Sequence, residues 1–240
     1  LKNLITKNIG KYLVTRQNNM TTLQNSKFLH RRQNISNDNS CNLKVKEIKY
    51  NIKTIPNGID QDNYTKQKKE NIIVSSGRLL PRKGFQYLIN AIKDEKLNYE
   101  LHILGDGPFR NELQKLSKNS KTKIVFHGWI SNKSDEYKKI LGKAKIYVLA
   151  SLKENASIAL LEAMSASCAI ITTNISGCPE TVGKSGILVD PKNTNQIKEN
   201  ILNLIKDEKL MKSYQNKSRR RLLDKFTWDK ISKEYENELI

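Results

Sequence analysis

Two carboxylates separated by seven residues, Glu154 and Glu162, are the side chains of this sequence best suited to chemistry. Glu154 follows the apolar run 146–149, which predicts that it lies at the end of a buried strand, and Glu162 stands among good helix formers. Carboxylates on the buried side of a sheet edge are costly unless a partner satisfies them. Because carboxylates accept strong hydrogen bonds from hydroxyls, this spacing indicates a site for a sugar or a ribose.

The loop 77–84 is a second candidate, because it follows an apolar strand and carries the cations Arg78 and Lys83. Two cations beside a helix N-terminus form an anion site suited to a diphosphate. The loop lacks the Gly-x4-Gly-Lys-Ser/Thr spacing of a Walker loop. Taken alone, the segment is equally consistent with two solvated surface charges.

Other chemical motifs are weak. The run Gly105-Asp106-Gly107 lacks the third glycine of a dinucleotide fingerprint, so its small residues are expected to allow a close approach of ligand or backbone. Ser157 has no Gly-x-Ser-x-Gly elbow, which argues against a hydrolase triad. His102 and His127 fall in predicted strands without metal-ligand spacing and are expected to be core or edge residues.

Trp129 and Ile130 follow a predicted strand end at Gly128. At that position they could line the pocket of a nucleotide base, and ordinary packing is an equally good interpretation. The basic stretch 217–221 falls in a helical segment and is expected to be a solvated helix face.

The candidate site residues stand in different loops, and they can act together only if the fold brings those loops to one edge of a sheet. From residue 71 onward, apolar runs alternate with helical spacing and Gly-rich loops, which predicts an α/β fold with a Rossmann-like parallel sheet and helices on both faces. An earlier strand is predicted at 52–55, and Pro108 is expected in the first turn of a helix over 108–118. The remaining elements are strands at 71–76, 99–104, 123–127, 145–149, 169–172 and 187–189, and helices at 84–94, 133–142, 157–165, 194–206, 208–224 and 228–238.

Composition narrows the function classes. The net charge of +19 is distributed along the chain, which favours general attraction to anionic surfaces over one dedicated nucleic-acid face. A general over-use of Lys and Asn along the chain is an equally good explanation of this charge. The three cysteines form no CxxC pair, which is typical of a reducing compartment without structural disulfides. No apolar run approaches the length of about 18 residues that a spanning helix needs.

Several segments together resemble glycosyltransferase family 4, whose members have the two-domain GT-B architecture. The resemblance covers about 48–235, and each segment stands at or beside a predicted loop. The segments are Ile55-Pro56-Asn57-Gly58-Ile59-Asp60, Ser76 to Leu79 with Lys83-Gly84, Ile103 to Pro108, Val125 to Gly128, Ser151 to Met164, Ser176 to Glu180, and Gly186 to Pro191.

The resemblance implies a retaining enzyme that generally needs no metal or other cofactor beyond its donor, with UDP-sugars favoured over GDP-sugars. Arg78 and Lys83 would hold the donor diphosphate, and Glu154 would bind hydroxyls of the donor sugar. Glu162 would bind the ribose. The remaining contacts would come from Gly77, the backbone of Asn155, Ala156 and Ser157, and, near the base, Trp129 and Ile130.

Some positions depart from the family pattern. Ala156-Ser157 stands where Phe-Gly is frequent, Lys145 where Asp is common, and Ala150 where Pro is common. These changes leave the sugar undetermined. The expected domains are a remnant of an N-terminal domain or a disordered extension at 1–47, a linker at 48–70, a nucleotide-sugar-binding domain at 71–225 and a crossover helix at 226–240. A second domain with the acceptor site is therefore expected from a longer chain or a partner chain, unless the gene is degraded.

The sequence thus predicts the donor-binding half of a hexosyltransferase that acts on a glycan or lipid-linked acceptor in cell-envelope polysaccharide or glycolipid synthesis. The expected location is the cytoplasm, including the anionic inner face of the cell membrane. A non-catalytic nucleotide-sugar-binding module is the alternative. A basic nucleic-acid binder is less favoured, because aromatic stacking motifs are lacking.

Overall fold

In this computed structural model, the structure describes residues 55–239 except 63, 65 and 66, together with two short strands near the N-terminus. The chain divides into two units, residues 1–54 and 55–240. In the first unit, β1 (Val14–Gln17) and β2 (Met20–Leu23) pair in antiparallel orientation. The predictions for the rest of 1–47 and for a strand at 52–55 lie outside the described residues, apart from Ile55.

The second unit is built on six parallel strands. In chain order they are β3 (Glu70–Ser76), β4 (Glu100–Leu104), β5 (Ile124–Gly128), β6 (Ala144–Leu149), β7 (Ala169–Thr173) and β8 (Gly186–Val189). Their order across the sheet is β5-β4-β3-β6-β7-β8, and every pairing is parallel. The order reverses between β3 and β6, where sheets of this kind bind ligands at the carboxyl ends of their strands. The predicted Rossmann-like sheet is confirmed.

Helices cover both faces of this sheet. They are α1 (Phe85–Ile92), α2 (Arg110–Ser117), α3 (Asp135–Lys143), α4 (Ile158–Ser165), α5 (Cys178–Val182), α6 (Thr194–Lys206), α7 (Glu208–Lys225) and α8 (Trp228–Leu239). One apolar core joins α1 and α6 to the sheet, for example through Phe85 and Ile197. The other core joins α3, α4 and α7 to the opposite face, for example through Leu141, Leu160 and Leu222.

The helix predicted over 108–118 begins later than expected. It starts at Arg110 after Phe109, so Pro108 lies in the preceding turn and not in the first turn of the helix. The backbone explains the difference, because the Phe109 amide donates to the carbonyl of Leu79 at 3.1 Å. This bond ties the turn to the neighbouring loop before the helix can begin.

The basic stretch on α7 is not the solvated face that the sequence predicted. Arg219 donates to the carbonyls of Gln61 and Ser165, and Arg221 donates to the carbonyl of Thr181 at 2.7 Å. Arg220 does match the prediction, since its side chain is 86% exposed. Two of the three arginines therefore anchor backbone segments, because guanidinium groups have enough donors to satisfy several carbonyls at once.

Near the start of the second unit, residue 59 contacts the connection between α7 and α8. The Ile59 amide donates to the carbonyl of Phe226 at 2.8 Å, and Ile59 forms a parallel bridge with Thr227. No helix among the residues described is both long and apolar enough to cross a bilayer.

Candidate functional site

A cleft of about 520 Å³ opens at the carboxyl edge of the sheet. The loop after β3 contributes Gly77 and Arg78, and the loop after β5 contributes residues 129–132. Glu162 on α4 and Tyr137 on α3 also line the cleft. The position agrees with the general rule that open α/β sheets bind ligands where the strand order reverses.

The loops after β3, β4 and β5 are held against one another by their backbones. The Gly77 amide donates to the Leu104 carbonyl at 2.9 Å, and the Gly105 amide donates to the Gly128 carbonyl at 2.7 Å. Glycine permits such close contact because it has no Cβ. The run 105–107 therefore allows close backbone approach, as the sequence predicted, and fixes one wall of the cleft.

Lys83 and Glu154 form an ion pair beside the cleft, with Nζ 2.7 Å from Oε2. Their side chains are 17% and 12% exposed, so both charges are partly removed from water. The loops that carry them are held together, since the Leu152 amide donates to the carbonyl of Arg82 at 2.8 Å. The sequence identified both residues as site candidates, but it gave no sign that they pair with each other.

Gly84 permits this arrangement. Its φ is +74°, a conformation that side-chain-bearing residues rarely adopt, and a Cβ there would lie 1.8 Å from the carbonyl oxygen of Ala150. It ends the short 3-10 turn Pro81–Lys83 and precedes α1. Glycine at this position thus places Lys83 within reach of Glu154.

Glu162 is nearly buried, with 4% of its surface exposed. The Tyr137 hydroxyl donates to Oε2 at 2.7 Å, and the Asn132 amide donates to Oε1 at 2.8 Å. Burial raises the pKa of the Glu162 carboxyl, and the two hydrogen bonds partly offset that increase. Asn132 and Tyr137 were not identified from the sequence, because the polar Asn is in a loop and the Tyr reads as an ordinary apolar helix position.

A line of hydroxyls extends behind Tyr137. The Ser76 Oγ lies 3.1 Å from the Tyr137 hydroxyl and 2.9 Å from the Tyr147 hydroxyl. Burial raises the pKa of both phenols, so both remain neutral hydrogen-bonding groups. The carboxylate of Glu162 is therefore connected to strands β3 and β6 through a chain of uncharged hydroxyls.

The segment between Glu154 and Glu162 contacts the backbone at the start of α5. The Gly177 amide donates to the Glu154 carbonyl at 3.0 Å. A Cβ on Gly177 would lie 1.7 Å from the carbonyl oxygen of Asn155. Ser157 is buried at the N-cap of α4, where its side chain makes no capping hydrogen bond.

Five of the residues predicted for the site meet in the cleft, namely Gly77, Arg78, Trp129, Ile130 and Glu162. The others lie outside the lining of the cleft, namely Lys83, Glu154, Asn155, Ala156 and Ser157. Residues 155–157 nevertheless connect Glu154 to Ile158, which is itself part of the lining. The cleft and the Lys83–Glu154 pair are thus joined by one short stretch of chain.

Two large apolar side chains lie exposed at the cleft, beside the exposed polar residues Arg78, Asp106 and Asn132. Trp129 is 76% exposed and Ile158 is 41% exposed, and both residues line the cleft. Ile130 instead packs against the core that involves α3 and α4. Packing therefore explains Ile130, whereas it does not explain Trp129, whose ring is available to a flat ligand.

The two strand histidines lie outside the cleft lining. His127 on the edge strand β5 contacts His102 on β4, with Nε2 3.0 Å from Nδ1, and His102 Nε2 lies 3.0 Å from Glu100 Oε2. Burial, then the neighbouring His102, lowers the pKa of His127. They are half-buried residues near the sheet edge, as the sequence predicted.

Comparison with known proteins places this geometry in context. Residues 58–221 match the family model described as glycosyl transferases group 1. The chain is 32% identical over 177 residues to an uncharacterized glycosyltransferase of Methanocaldococcus jannaschii, covering 71% of this chain and 45% of that protein.

A second relative comes from Campylobacter jejuni. This N-acetylgalactosamine-N,N'-diacetylbacillosaminyl-diphospho-undecaprenol 4-alpha-N-acetylgalactosaminyltransferase is 33% identical over 176 residues, which is 69% of this chain and 47% of the relative. The chain therefore spans about half the length of the curated relatives it matches.

Solved structures share the fold. A point mutant of Staphylococcus aureus TarM, in complex with fondaparinux, alpha-GlcNAc-glycerol and UDP, matches with a TM-score of 0.69 and 24% identity over 80% of this chain and 40% of TarM. Anabaena HepE, in complex with UDP and glucose, matches with a TM-score of 0.69 and 18% identity over 78% of this chain and 56% of HepE.

Proposed function

Because this chain belongs to the glycosyl transferases group 1 family, we propose that it is the donor-binding half of a retaining hexosyltransferase. It would bind a nucleoside diphosphate sugar, from which the complete enzyme transfers the hexose to a glycan or a lipid-linked acceptor. The observation that carries this proposal is the partly buried Lys83–Glu154 pair at 2.7 Å, joined by residues 155–157 to a cleft that Glu162 lines. A cation and two carboxylates in this order match a diphosphate flanked by a sugar and a ribose.

In this proposal, Arg78 and Lys83 bind the diphosphate and stabilise the negative charge that develops when the nucleotide leaves. Arg78 is exposed within the cleft, so its guanidinium is available to a phosphate. Fixed cations aimed at developing charge are among the largest contributions to catalysis. The backbone of 155–157, at the start of α4, adds amide groups near the same position.

The carboxylates divide the remaining groups of the donor. Glu154 accepts hydrogen bonds from hydroxyls of the hexose, and Glu162 accepts them from the ribose. Trp129 stacks on the base, with Ile130 and Gly77 beside it. UDP-sugars are the favoured donors, and the support is that TarM and HepE, which share the fold, were each solved with UDP.

The proposed acceptor is a glycan or lipid-linked sugar of the cell envelope. Support comes from the names of relatives, which include a diphospho-undecaprenol transferase and a poly(ribitol-phosphate) alpha-N-acetylglucosaminyltransferase. Both acceptors are anionic, and the net charge of +19 favours work at an anionic surface. We therefore propose that the protein works in the cytoplasm, including the inner face of the membrane.

A second candidate function is a non-catalytic nucleotide-sugar-binding module. Its support is that the cleft and the Lys83–Glu154 pair, which would bind the donor, both lie in the second unit. The nucleic-acid alternative rests on the net charge of +19 and on Arg219 to Arg221, and it loses part of that support because Arg219 and Arg221 are engaged with backbone carbonyls.

Calorimetric titration of UDP, UDP-sugars and GDP-sugars into this chain tests the donor site. We expect saturable binding that is lost in Lys83→Ala and Glu162→Ala. Arg220→Ala and Glu208→Ala are matched controls, because their side chains are 86% and 77% exposed on α7 and neither lines the cleft. A folded chain that binds none of these ligands would contradict the proposal. Binding without transfer by an enzyme that also contains an acceptor domain would favour the non-catalytic module.

A further inference from the structure

The two donors to Glu162 each engage a different carboxylate oxygen. Tyr137 donates to Oε2 at 2.7 Å and Asn132 donates to Oε1 at 2.8 Å. A carboxylate has about four lone-pair positions, two on each oxygen. One position on each oxygen therefore remains for a ligand, and Glu162 lines the cleft. Two adjacent hydroxyls match this arrangement, with one hydroxyl donating to each oxygen.

Tyr137 is held in place independently of Glu162. It lies in the first turn of α3, where its amide donates to the Ser134 Oγ that caps the helix. Its ring is 4% exposed, and its hydroxyl also lies 3.1 Å from the Ser76 Oγ. Tyr137 has one phenolic hydrogen, and the charged carboxylate of Glu162 at 2.7 Å is a stronger acceptor for it than the Ser76 hydroxyl at 3.1 Å.

We propose that Tyr137 and Asn132 are positioning residues that hold the Glu162 carboxylate with one acceptor position open on each oxygen, so that the cleft selects a nucleotide with both ribose hydroxyls over its 2'-deoxy counterpart. The inference rests on the proposed donor site. It deepens that proposal, because it assigns selectivity for the 2'-hydroxyl to two residues outside the segment 154–162.

The electrostatic surroundings agree with this role. The titratable and charged groups that face Glu162 or share the cleft lining with it are the phenols of Tyr64, Tyr137 and Tyr147, with Arg78 and Asp106. Burial raises the pKa of the Glu162 carboxyl, and the Tyr137 bond opposes that rise. Loss of the Tyr137 hydroxyl should therefore raise the pKa further. A protonated carboxyl has lost acceptor capacity, so nucleotide binding should weaken at a higher pH than it does in the native chain.

The test compares UDP with 2'-deoxy-UDP in the native chain, in Tyr137→Phe and in Tyr99→Phe. Tyr99 is a matched control, because it is 8% exposed in the other apolar core and does not line the cleft. We expect the native chain and Tyr99→Phe to prefer UDP by about 10-fold or more, which corresponds to one hydrogen bond to a charged group. In Tyr137→Phe the preference should fall to about threefold or less. Asn132→Ala gives a second test that does not threaten folding, because Asn132 is exposed.

A carbon NMR titration of the Glu162 carboxyl without nucleotide supplies the independent measurement. The carboxyl should titrate at a higher pH in Tyr137→Phe than in the native chain or in Tyr99→Phe. An unchanged titration, or an unchanged UDP preference in both Tyr137→Phe and Asn132→Ala while UDP still binds, overturns this inference and leaves the proposed function standing. A native chain that binds neither nucleotide overturns the donor site and this inference together.

Discussion

Replacing Glu154 with Gln is expected to strengthen the binding of free UDP, whereas Lys83→Ala is expected to weaken it. In the unliganded chain, the Glu154 carboxylate lies 2.7 Å from the Lys83 ammonium and neutralises much of its charge. A diphosphate that approaches Lys83 must compete with this carboxylate and is repelled by it. Removing the carboxylate charge should therefore help the anion, while removing the ammonium should harm it.

The distance and the exposure of the pair set the magnitudes. At 2.7 Å, two unit charges attract by about 6 kcal/mol at an effective dielectric constant of about 20. Desolvation of both charges offsets most of this attraction. A phosphate farther from Glu154, in a cleft open to water, would feel a repulsion of about 1 kcal/mol, so Glu154→Gln should bind UDP about fivefold more tightly. Lys83→Ala loses a charge-assisted hydrogen bond and should bind UDP about 10- to 150-fold more weakly.

The same pair predicts a difference in stability. The side chains are 17% and 12% exposed, so this ion pair is intermediate between exposed and buried pairs. Exposed pairs contribute at most about 1 kcal/mol to stability, and disrupting a buried pair costs about 3–5 kcal/mol. Lys83→Ala strands the carboxylate and should cost about 1–3 kcal/mol, which lowers Tm by about 2–12 °C in a domain of this size. Glu154→Gln should cost less, because the Lys83 ammonium can extend toward water.

Calorimetry with UDP and UDP-glucose, together with thermal unfolding, measures both effects on the same samples. Glu154→Gln should also lose the additional affinity that the hexose confers over UDP alone. If Glu154→Gln weakens UDP binding as strongly as Lys83→Ala does, then the Glu154 carboxylate acts by holding the Lys83 ammonium in place. That result would refute the prediction that the carboxylate competes with the diphosphate.

Three further perturbations test other parts of the molecule. Gly177→Ala places a Cβ 1.7 Å from the Asn155 carbonyl oxygen, so the loop that carries Asn155 should shift. The affinity for a nucleotide sugar should then fall at least about 10-fold, and Tm should decrease. Calorimetry and thermal unfolding measure these two effects, and an unchanged affinity would contradict the prediction. Trp129→Ala should change Tm by no more than about 2 °C, because Trp129 is 76% exposed. The affinity for UDP should fall by about 5- to 150-fold, because the base loses its stacking partner. An unchanged affinity would show that Trp129 does not bind the base. Burial, then His102, lowers the pKa of His127, so the unfolded chain, with a His pKa of about 6.5, binds the proton more readily and stability should fall as pH drops below about 6.5. Urea unfolding at several pH values should show a flatter profile for His127→Gln, and identical profiles would contradict this assignment.

The sheet was predictable because apolar runs and glycine punctuation coincide along the chain. Gly77, Gly105 and Gly128 stand at or directly after the ends of the first three strands of the sheet, and each prediction placed a strand end there. The positions of Glu154 and Glu162 were predictable for a similar reason. Glu154 follows a predictable strand, and Glu162 lies in a predictable helix. Local periodicity was sufficient to locate these positions.

Contacts between distant segments were not predictable in the same way. Tyr137 precedes Glu162 by 25 residues, and nothing in its helical neighbourhood distinguishes a carboxylate partner from an ordinary core tyrosine. The roles of Arg219 and Arg221 depend on carbonyls far away in sequence, so local charge pattern suggested a solvated face. The pairing of Lys83 with Glu154 likewise depends on two loops that meet only in the folded sheet.

The bridge between Ile59 and Thr227 brings the start of the second unit beside the connection between α7 and α8. A segment whose two ends adjoin can be relinked there and opened elsewhere without changing the order of its strands, because the covalent path through the core stays the same. The turn at 190–193, between β8 and α6, connects elements at the surface and offers such an opening. Residues 59–227 are thus a natural candidate for circular permutation, with new termini at residues 191 and 192, a short linker joining residues 227 and 59, and α8 omitted.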